Sequence, residues 1–232
     1  ETINDQFLSH NLDPNLIFRG RGMLIVGVTG GVASGKTTVS RIFEEEGAYI
    51  IEADQIAREL VQPHNPAWRQ IIRVFGKEIL QKDGTIDRKR LADRAFSDSG
   101  QRKLLNEILH PRIKKEMGKR AREIGRKDPH AIVVFDVPLL VETGFHREVD
   151  RVVVITSEET QQIERLKKRA GMSEEETRRI ISSQMDLEEK VKAADFVIRN
   201  EGPIETTRRR VREVFQELRR IALQKRRRPT DK

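Results

Sequence analysis

The chain has 232 residues and enough hydrophobic ones for one large domain, or for a core domain with insertions. It has no cysteine, which excludes disulfide bonds and thiolate metal sites, and no apolar run near the ~20 residues that span a bilayer. The formal net charge of +8 arises in residues 208–232, which hold eleven Lys or Arg and three Asp or Glu. This pattern is typical of a solvated helix face and tail, so we expect neither a nucleic-acid nor a membrane partner.

Five short apolar runs predict the strands of a core. Each is apolar at consecutive positions, as expected of strands covered on both faces of a parallel sheet. Helical patterns lie near residues 36–46, 157–170 and 173–189, and a last helix is predicted to begin near Pro203. The fold class is therefore α/β, with three layers around a five-stranded parallel sheet. The five runs are residues 24–28, 48–51, 131–135, 152–156 and 196–198.

Residues 54–127 interrupt this alternation with a mostly helical pattern. They contain a turn at Asp83–Gly84 and a predicted helix break at His110–Pro111. Such an insertion is expected over the carboxyl edge of the sheet, where open α/β sheets bind ligands. The predicted segments are an extension (1–22), a domain (23–222) with its core at 23–53 and 130–222, and a basic tail (223–232).

One motif carries specific chemistry. Residues 30–37 read GGVASGKT and match G-x-x-x-x-G-K-[ST], with a strand before them and an amphipathic helix after them. Backbone N–H groups in such a loop turn toward a phosphate, and the helix N-terminus adds positive charge. Lys36 is expected to reach the β- and γ-phosphates, and Thr37 to bind Mg²⁺. The predicted ATP-binding residues here are Gly31, Val32, Ala33, Ser34, Gly35, Lys36, Thr37 and Thr38.

Other features narrow the class of nucleotide-binding protein. The chain has no Asn-Lys-x-Asp motif for guanine, which argues against a GTPase. A motor ATPase is disfavoured by the length and by the lack of a second phosphate loop. The remaining interpretation is a small-molecule kinase whose acceptor is held by the insertion, with a mobile lid that excludes water.

Acidic residues follow two of the predicted strands. Asp54 belongs to Glu52-Ala53-Asp54 after the second strand, and Asp136 ends the third. A carboxylate at this edge can orient an attacking hydroxyl, accept its proton or hold metal-bound water. The alternative is that each aspartate only caps the following helix.

Two arginines are candidates for contacts with the transferring group. Arg165 and Arg169 lie four residues apart, on one face of a predicted helix. Arginine can neutralise charge that develops during phosphoryl transfer. In a chain with so many arginines, the alternative is a solvated surface.

Taken together, these segments closely resemble the dephospho-CoA kinase family, which catalyses the last step of coenzyme A biosynthesis. The matches are collinear from Met23 to about Leu223. Two positions depart from the usual family pattern: Glu52 replaces an aspartate, and Ala33 replaces a glycine of the phosphate loop. The matching segments include GAYIIEADQIARELV (47–61), DGTIDRKRLADRAF (83–96), LNEILHPRI (105–113), FDVPLLVETG (135–144) and AADFVIRNEG (193–202).

The resemblance implies a nucleoside-monophosphate-kinase-like core, a helical acceptor-binding insertion and a lid at about 160–188. It implies transfer of phosphate from ATP to the ribose 3′-hydroxyl of dephospho-CoA, with Mg²⁺ as cofactor. Asp54 would orient or deprotonate that hydroxyl. Arg165 and Arg169 would close on the phosphates and, with Lys36, act as catalytic residues.

The resemblance also implies residues that contact the acceptor and the adenine. Asn200 and Gly202 would approach adenine, although turn chemistry explains both residues almost as well. His110 is alternatively a helix-boundary residue before Pro111. The implied acceptor-binding residues are Asp54, Arg58, Arg88, His110, Arg112 and Asp136.

Two other functions fit part of the sequence. A kinase for another ribose-containing acceptor, such as a nucleoside, would share the phosphate loop. A nucleotide-regulated nucleic-acid-binding module would use the basic C-terminal segment, but one Tyr and one Trp supply little base stacking.

We expect ATP and dephospho-CoA as substrates, and a cytoplasmic location.

Overall fold

The structure, a computed structural model, describes residues 22–227, excluding the side chains of Phe96, Arg169, Ala170, Arg226 and Arg227. These residues form two compact units. One contains residues 22–51 and 121–227, and the other contains Glu52–Arg120. The predicted extension before Gly22 and the last five residues of the predicted tail lie outside the described residues.

The predicted apolar runs form the strands of one sheet. The strands are β1 (Leu24–Gly30), β2 (Tyr49–Glu52), β3 (Ile132–Asp136), β4 (Arg151–Thr156) and β5 (Phe196–Arg199). Their order is β2-β3-β1-β4-β5, and the sheet is parallel, which confirms the predicted α/β class. The central strand β1 therefore ends between its neighbours β3 and β4, at the edge where open α/β sheets bind ligands.

Helices connect the strands throughout the described chain. No helix within residues 22–227 is long and apolar enough to cross a membrane. Short 3₁₀ turns occur at Lys77–Ile79 and Phe145–Glu148. The α-helices are α1 (Lys36–Glu45), α2 (Ala53–Leu60), α3 (Pro66–Phe75), α4 (Arg88–Ser97), α5 (Ser99–Lys127), α6 (Glu159–Ala170), α7 (Glu174–Ser182), α8 (Leu187–Lys192) and α9 (Ile204–Arg227).

The hydrophobic core of the first unit surrounds β1 and holds the carboxyl end of this strand in place. Helices α1 and α9 pack on the sheet, with the rings of Phe43 and Phe215 6.2 Å apart. All seven residues of β1 are buried, because the strand has neighbours on both sides. The register pairs Val28 with Asp136 and Gly30 with Ile155. Asp136, the last residue of β3, therefore lies beside Val28, two residues before the end of β1.

The second unit has its own core, formed by residues of α3, α4 and α5. Ile71 and Ile108 are among its buried side chains. The predicted turn at Asp83–Gly84 is present: Gly84 has φ +81°, and Trp68 Nε1 donates to its carbonyl at 3.0 Å. The insertion is thus a packed helical unit and not an extended loop.

The predicted break at His110–Pro111 is wrong, because α5 continues through it. A proline lacks the N–H for the helical bond, a loss that commonly ends a helix. Pro111 leaves the Glu107 carbonyl without its helical donor. Arg112 Nη1 donates to the next carbonyl, that of Ile108, at 2.5 Å. Ile108 and Met117 are buried on the two sides of Pro111 and stabilise a single helix. His110 is therefore an interior helical residue.

The single helix predicted over residues 173–189 is also wrong, since two helices occupy this segment. The expected capping box is present, with Ser173 N donating to Glu176 Oε2 at 2.8 Å. However, α7 ends at Ser182, and Asp186 caps a new helix by accepting from Glu188 N at 2.9 Å. A side-chain cap inside a continuous helical pattern competes with the helix, and this cap separates α7 from α8.

Carboxylates accompany many of the arginines of α9. Arg208 pairs with Glu45, and Arg212 Nε lies 2.7 Å from Glu46 Oε1, so α9 forms ion pairs with the end of α1. Arg219 lies over the Phe215 ring, 4.7 Å from its centroid. The helix continues through residue 223, where we predicted the basic tail to begin.

Candidate active site

The predicted phosphate loop connects β1 to α1 by a tight turn. Ser34 N donates to the Gly31 carbonyl at 3.1 Å, and Gly35 takes the N-cap position of α1 with φ +88°. In the part of the chain that the structure describes, no side chain caps this helix. The positive end of the α1 dipole therefore faces the loop, as required for binding an anion.

Asn200 supports the loop from the end of β5. Its Nδ2 donates to the Ser34 carbonyl at 2.7 Å, and its Oδ1 accepts from Thr207 Oγ1 at 2.8 Å. A Cβ atom on Gly35 would overlap Asn200 Nδ2, so this close packing requires glycine at position 35. The side chain predicted to approach adenine is thus buried against the loop backbone, whereas Gly202 is exposed with φ +80°.

Arg165 also contacts the loop, from helix α6. Its Nη1 donates to the Ala33 carbonyl at 3.1 Å, and its Nη2 donates to the Asn200 carbonyl at 3.0 Å. The structure thus brings Arg165 to the predicted phosphate loop. The side chain of Arg169, one helical turn later, lies outside the described residues.

Lys36 and Asp136 form an ion pair beside the loop. Asp136 is 5% exposed, and its other carboxylate oxygen accepts from Ser40 Oγ at 2.7 Å. Ser40 lies four residues after Lys36, on the same face of α1, and this spacing was the signal for a residue that our sequence interpretation missed. The three side chains form a polar cluster at the ends of β1 and β3.

The Asp136 carboxylate and the Thr37 hydroxyl offer the oxygen ligands that fit a magnesium ion shared with phosphate. Mg²⁺ usually takes one or two protein ligands and completes its shell with water and phosphate oxygens. Thr37 is an exposed residue in the first turn of α1, and it follows Lys36, which pairs with the Asp136 carboxylate. Within residues 22–227, no group of three or more His, Cys, Asp or Glu forms a separate metal site.

Gln162 and Gln184 line a surface beside the loop that was not predicted. Gln184, in the turn between α7 and α8, accepts from Val32 N at 2.9 Å through its Oε1. A cavity of about 370 Å³ lies here, lined by residues that include Gly31, Ser157 and Gln162. Among the described residues, Ser34 Oγ and Ser157 Oγ are buried nearby without a hydrogen-bond partner. No sequence pattern indicated Gln184, because the turn lies inside a predicted continuous helix.

The predicted acceptor-binding residues, apart from Asp136, belong to the second unit. Asp54 is the second residue of α2, and Arg58 lies one turn later; both are exposed. Arg88 is the exposed first residue of α4. Arg112 Nη2 donates to Gln70 Oε1 at 2.7 Å.

His110 is half-buried in α5. Burial, with a smaller contribution from Lys114, lowers the pKa of His110 below its usual value. A pKa below that of a free histidine, about 6.5, leaves the imidazole neutral at pH 7. In that form His110 can donate one hydrogen bond and accept another.

The alanine of the phosphate loop has an unfavourable backbone conformation, which leads to a prediction. Ala33 has φ +55°, in the left-handed region that costs a residue with a Cβ about 1 kcal/mol. We expect Ala33→Gly to raise the free energy of unfolding by up to about 1 kcal/mol, or the melting temperature by about 2–4 °C, measured without nucleotide.

Ala193→Gly is the matched control for this change. Ala193 has φ −88°, so glycine there relieves no strain and only increases the entropy of the unfolded chain. The control should be less stable than wild type. An Ala33→Gly protein that melts as low as the Ala193→Gly protein would contradict the assignment of strain to position 33.

Together, the central parallel strand, the glycine-capped helix and the lysine–aspartate pair define a P-loop nucleotide-binding protein. The dephospho-CoA kinase family profile matches residues 24–206. The chain belongs to the dephospho-CoA kinase family, which carries out the ATP-dependent phosphorylation of dephospho-CoA, the final step of coenzyme A biosynthesis.

Individual relatives agree with this assignment. The dephospho-CoA kinase of Bacillus thuringiensis subsp. konkukian is 45% identical over 83% of this chain and 96% of its own length. That of Corynebacterium glutamicum is 41% identical over 84% of this chain and 100% of its own length. A solved dephospho-CoA kinase from Campylobacter jejuni is 27% identical, with a TM-score of 0.58, over 85% of this chain and 98% of that chain. A solved Thermus thermophilus protein is 29% identical, with a TM-score of 0.72, over 84% and 97% of the two chains.

Proposed function

We propose that the protein transfers the γ-phosphoryl group of ATP to the 3′-hydroxyl of the ribose of dephospho-CoA. The hydroxyl oxygen forms a bond to the γ-phosphorus, the bond from that phosphorus to the β-bridging oxygen breaks, and ADP leaves. The observation that carries the proposal is the cluster of Lys36, Ser40 and Asp136 beside the phosphate loop. It provides a cation and a buried carboxylate where P-loop proteins hold the terminal phosphates.

We assign the nucleotide to the first unit. Lys36 and the N–H groups of residues 31–38 bind the phosphate chain, and Arg165 approaches it from α6 with Arg169 on the same helical face. Asn200 acts through the loop, because it holds the Ser34 carbonyl, and Gly202 lies in the turn that approaches adenine. Residues of about 160–188 form the lid that excludes water.

Magnesium would be held by the Thr37 hydroxyl, with Asp136 binding its water shell. When bound, Mg²⁺ neutralises phosphate charge and aligns the β- and γ-phosphates. The protein side chains do the remaining work: Lys36 stabilises charge on the leaving oxygens, and Ser40 keeps the Asp136 carboxylate oriented.

We assign the acceptor to the helical unit. Asp54 orients the 3′-hydroxyl and accepts its proton, since it is an exposed carboxylate two residues after β2, a strand that ends at the ligand-binding edge of the sheet. Arg58, Arg88 and Arg112 are cations suited to the phosphates of the acceptor, and neutral His110 is suited to its polar groups. Asp136 would contact the acceptor with the same carboxylate that pairs with Lys36.

A coupled assay for ADP release tests this function. Purified protein with ATP and Mg²⁺ should release ADP with dephospho-CoA as acceptor, and one CoA should form for each ADP. Uridine and cytidine, tested in parallel, should give only the background rate. Faster turnover with either nucleoside would contradict the proposed acceptor.

A further inference from the structure

The side chain of Gln184 accepts a hydrogen bond from a backbone N–H group of the phosphate loop. Val32 is in the apex of the loop, between the two glycines at positions 31 and 35, and its N–H donates to Gln184 Oε1 at 2.9 Å. Loop N–H groups at such positions are the ones that bind phosphate oxygens in P-loop proteins. A neutral amide oxygen therefore stands where a phosphate oxygen would accept.

The segment that carries Gln184 is anchored at both ends. Before it, Arg178 of α7 donates to Glu159 of α6 at 2.6 Å. After it, Lys190 of α8 is 1% exposed and lies 2.7 Å from Glu142, a buried ion pair. The turn between α7 and α8 is thus held by its flanks, while its only described side-chain bond to the phosphate loop is that of Gln184.

We propose that Gln184 is a nucleotide-sensing residue that holds the α7–α8 turn against the phosphate loop when nucleotide is absent, and that the phosphate chain of ATP displaces it. The inference rests on the proposed nucleotide site. When phosphate binds the loop, the displaced Gln184 no longer holds the α7–α8 turn. The position of the lid, which contains this turn, therefore depends on whether phosphate is bound. The adjoining cavity of about 370 Å³ leaves room for the side chain and the phosphates to exchange. Its wall includes the Ser157 hydroxyl, which has no hydrogen-bond partner within residues 22–227.

This role has a thermodynamic consequence. A ligand that must displace an internal competitor binds only those molecules in which the competitor has left the site. Its apparent Kd is therefore the intrinsic Kd divided by the fraction of such molecules. One net hydrogen bond changes such an equilibrium by about 2- to 10-fold. Gln184 therefore weakens ATP binding, in contrast to a residue that holds the nucleotide.

Equilibrium binding of a non-hydrolysable ATP analogue, adenylyl imidodiphosphate with Mg²⁺, tests the proposal by calorimetry. Gln184→Leu should lower the Kd by about 2- to 10-fold, because it removes the competing oxygen. Inorganic tripolyphosphate, which lacks the nucleoside, should show the same change. Met185→Leu, beside Gln184 in the same cavity wall, is the matched control and should leave both Kd values unchanged.

Two further measurements keep the test decisive. Gln184→Glu should raise the Kd, since its carboxylate accepts the Val32 N–H more strongly and repels phosphate. Amide hydrogen exchange of Val32 without nucleotide should be faster in Gln184→Leu than in wild type, and equally slow in both once the analogue is bound.

Opposite results would overturn the proposal. A higher Kd in Gln184→Leu would make Gln184 a nucleotide ligand, and unchanged Val32 exchange would show that the contact is not a barrier to binding. A Gln184→Glu protein that binds as tightly as wild type would contradict it as well. Failure of wild type itself to bind the analogue would instead refute the proposed nucleotide site.

Discussion

Asp54→Asn is expected to lower kcat by about 10²- to 10⁴-fold, the usual contribution of a general base. Asparagine keeps the size of the side chain but cannot accept the proton of the 3′-hydroxyl. The Kd of ATP should change little, because the proposed role concerns the acceptor. Steady-state assays with dephospho-CoA, together with calorimetric titration of ATP, measure the two quantities separately.

Glu52→Gln is the matched control, since Glu52 lies two residues earlier at the position where the family usually has aspartate. We assign Glu52 no role in the reaction, and among the described residues its side chain makes no capping bond at the N-terminus of α2. Glu52→Gln should therefore lower kcat much less than Asp54→Asn. Asp54 is exposed, and we expect no change in melting temperature for Asp54→Asn. An unchanged kcat in a folded Asp54→Asn protein would remove its proposed role.

Lys36→Ala is expected to lower kcat by about 10²- to 10³-fold or more, the size of effect seen when one preorganised electrostatic stabiliser is removed. It should also destabilise the protein without nucleotide. Asp136 is 5% exposed, and among the described residues Ser40 would remain as its hydrogen-bond partner. Breaking one side of a mostly buried ion pair commonly destabilises a protein by a few kcal/mol, about 3–5 at most.

The double variant Lys36→Ala with Asp136→Asn separates these two effects. Neutralising Asp136 removes the buried charge, so the melting temperature should recover toward that of wild type. The kcat should stay low, because no cation replaces Lys36. Near-normal activity in either variant would contradict the assignment of the phosphate loop.

Several features could be predicted because they depend on neighbouring residues. The loop of residues 30–37 is a contiguous pattern, and its strand and helix are adjacent in the chain. Runs of β-branched residues gave all five strands, since burial on both faces leaves an apolar signal in each run. The capping box of Ser173 and Glu176 is equally local.

Two local signals were misleading. A proline at position 111 indicated a helix end, but the helix continues, because the burial of residues on both sides of the proline outweighs the lost backbone bond. The helical pattern over 173–189 continued where the Asp186 cap begins a second helix. In the first case packing decided where the helix ends, and in the second case a side-chain cap did. The sequence pattern alone did not show which of these competing effects is stronger.

The sequence by itself determined the fold class, the phosphate loop and the family, because each is written in contiguous or collinear residues. Only the tertiary structure decided which side chains meet at the loop: Asp136, 100 residues from Lys36, Asn200, 166 residues from Ser34, and Gln184, 152 residues from Val32. Strand order and register bring these residues together. Both depend on the burial of the whole core, which no single segment encodes.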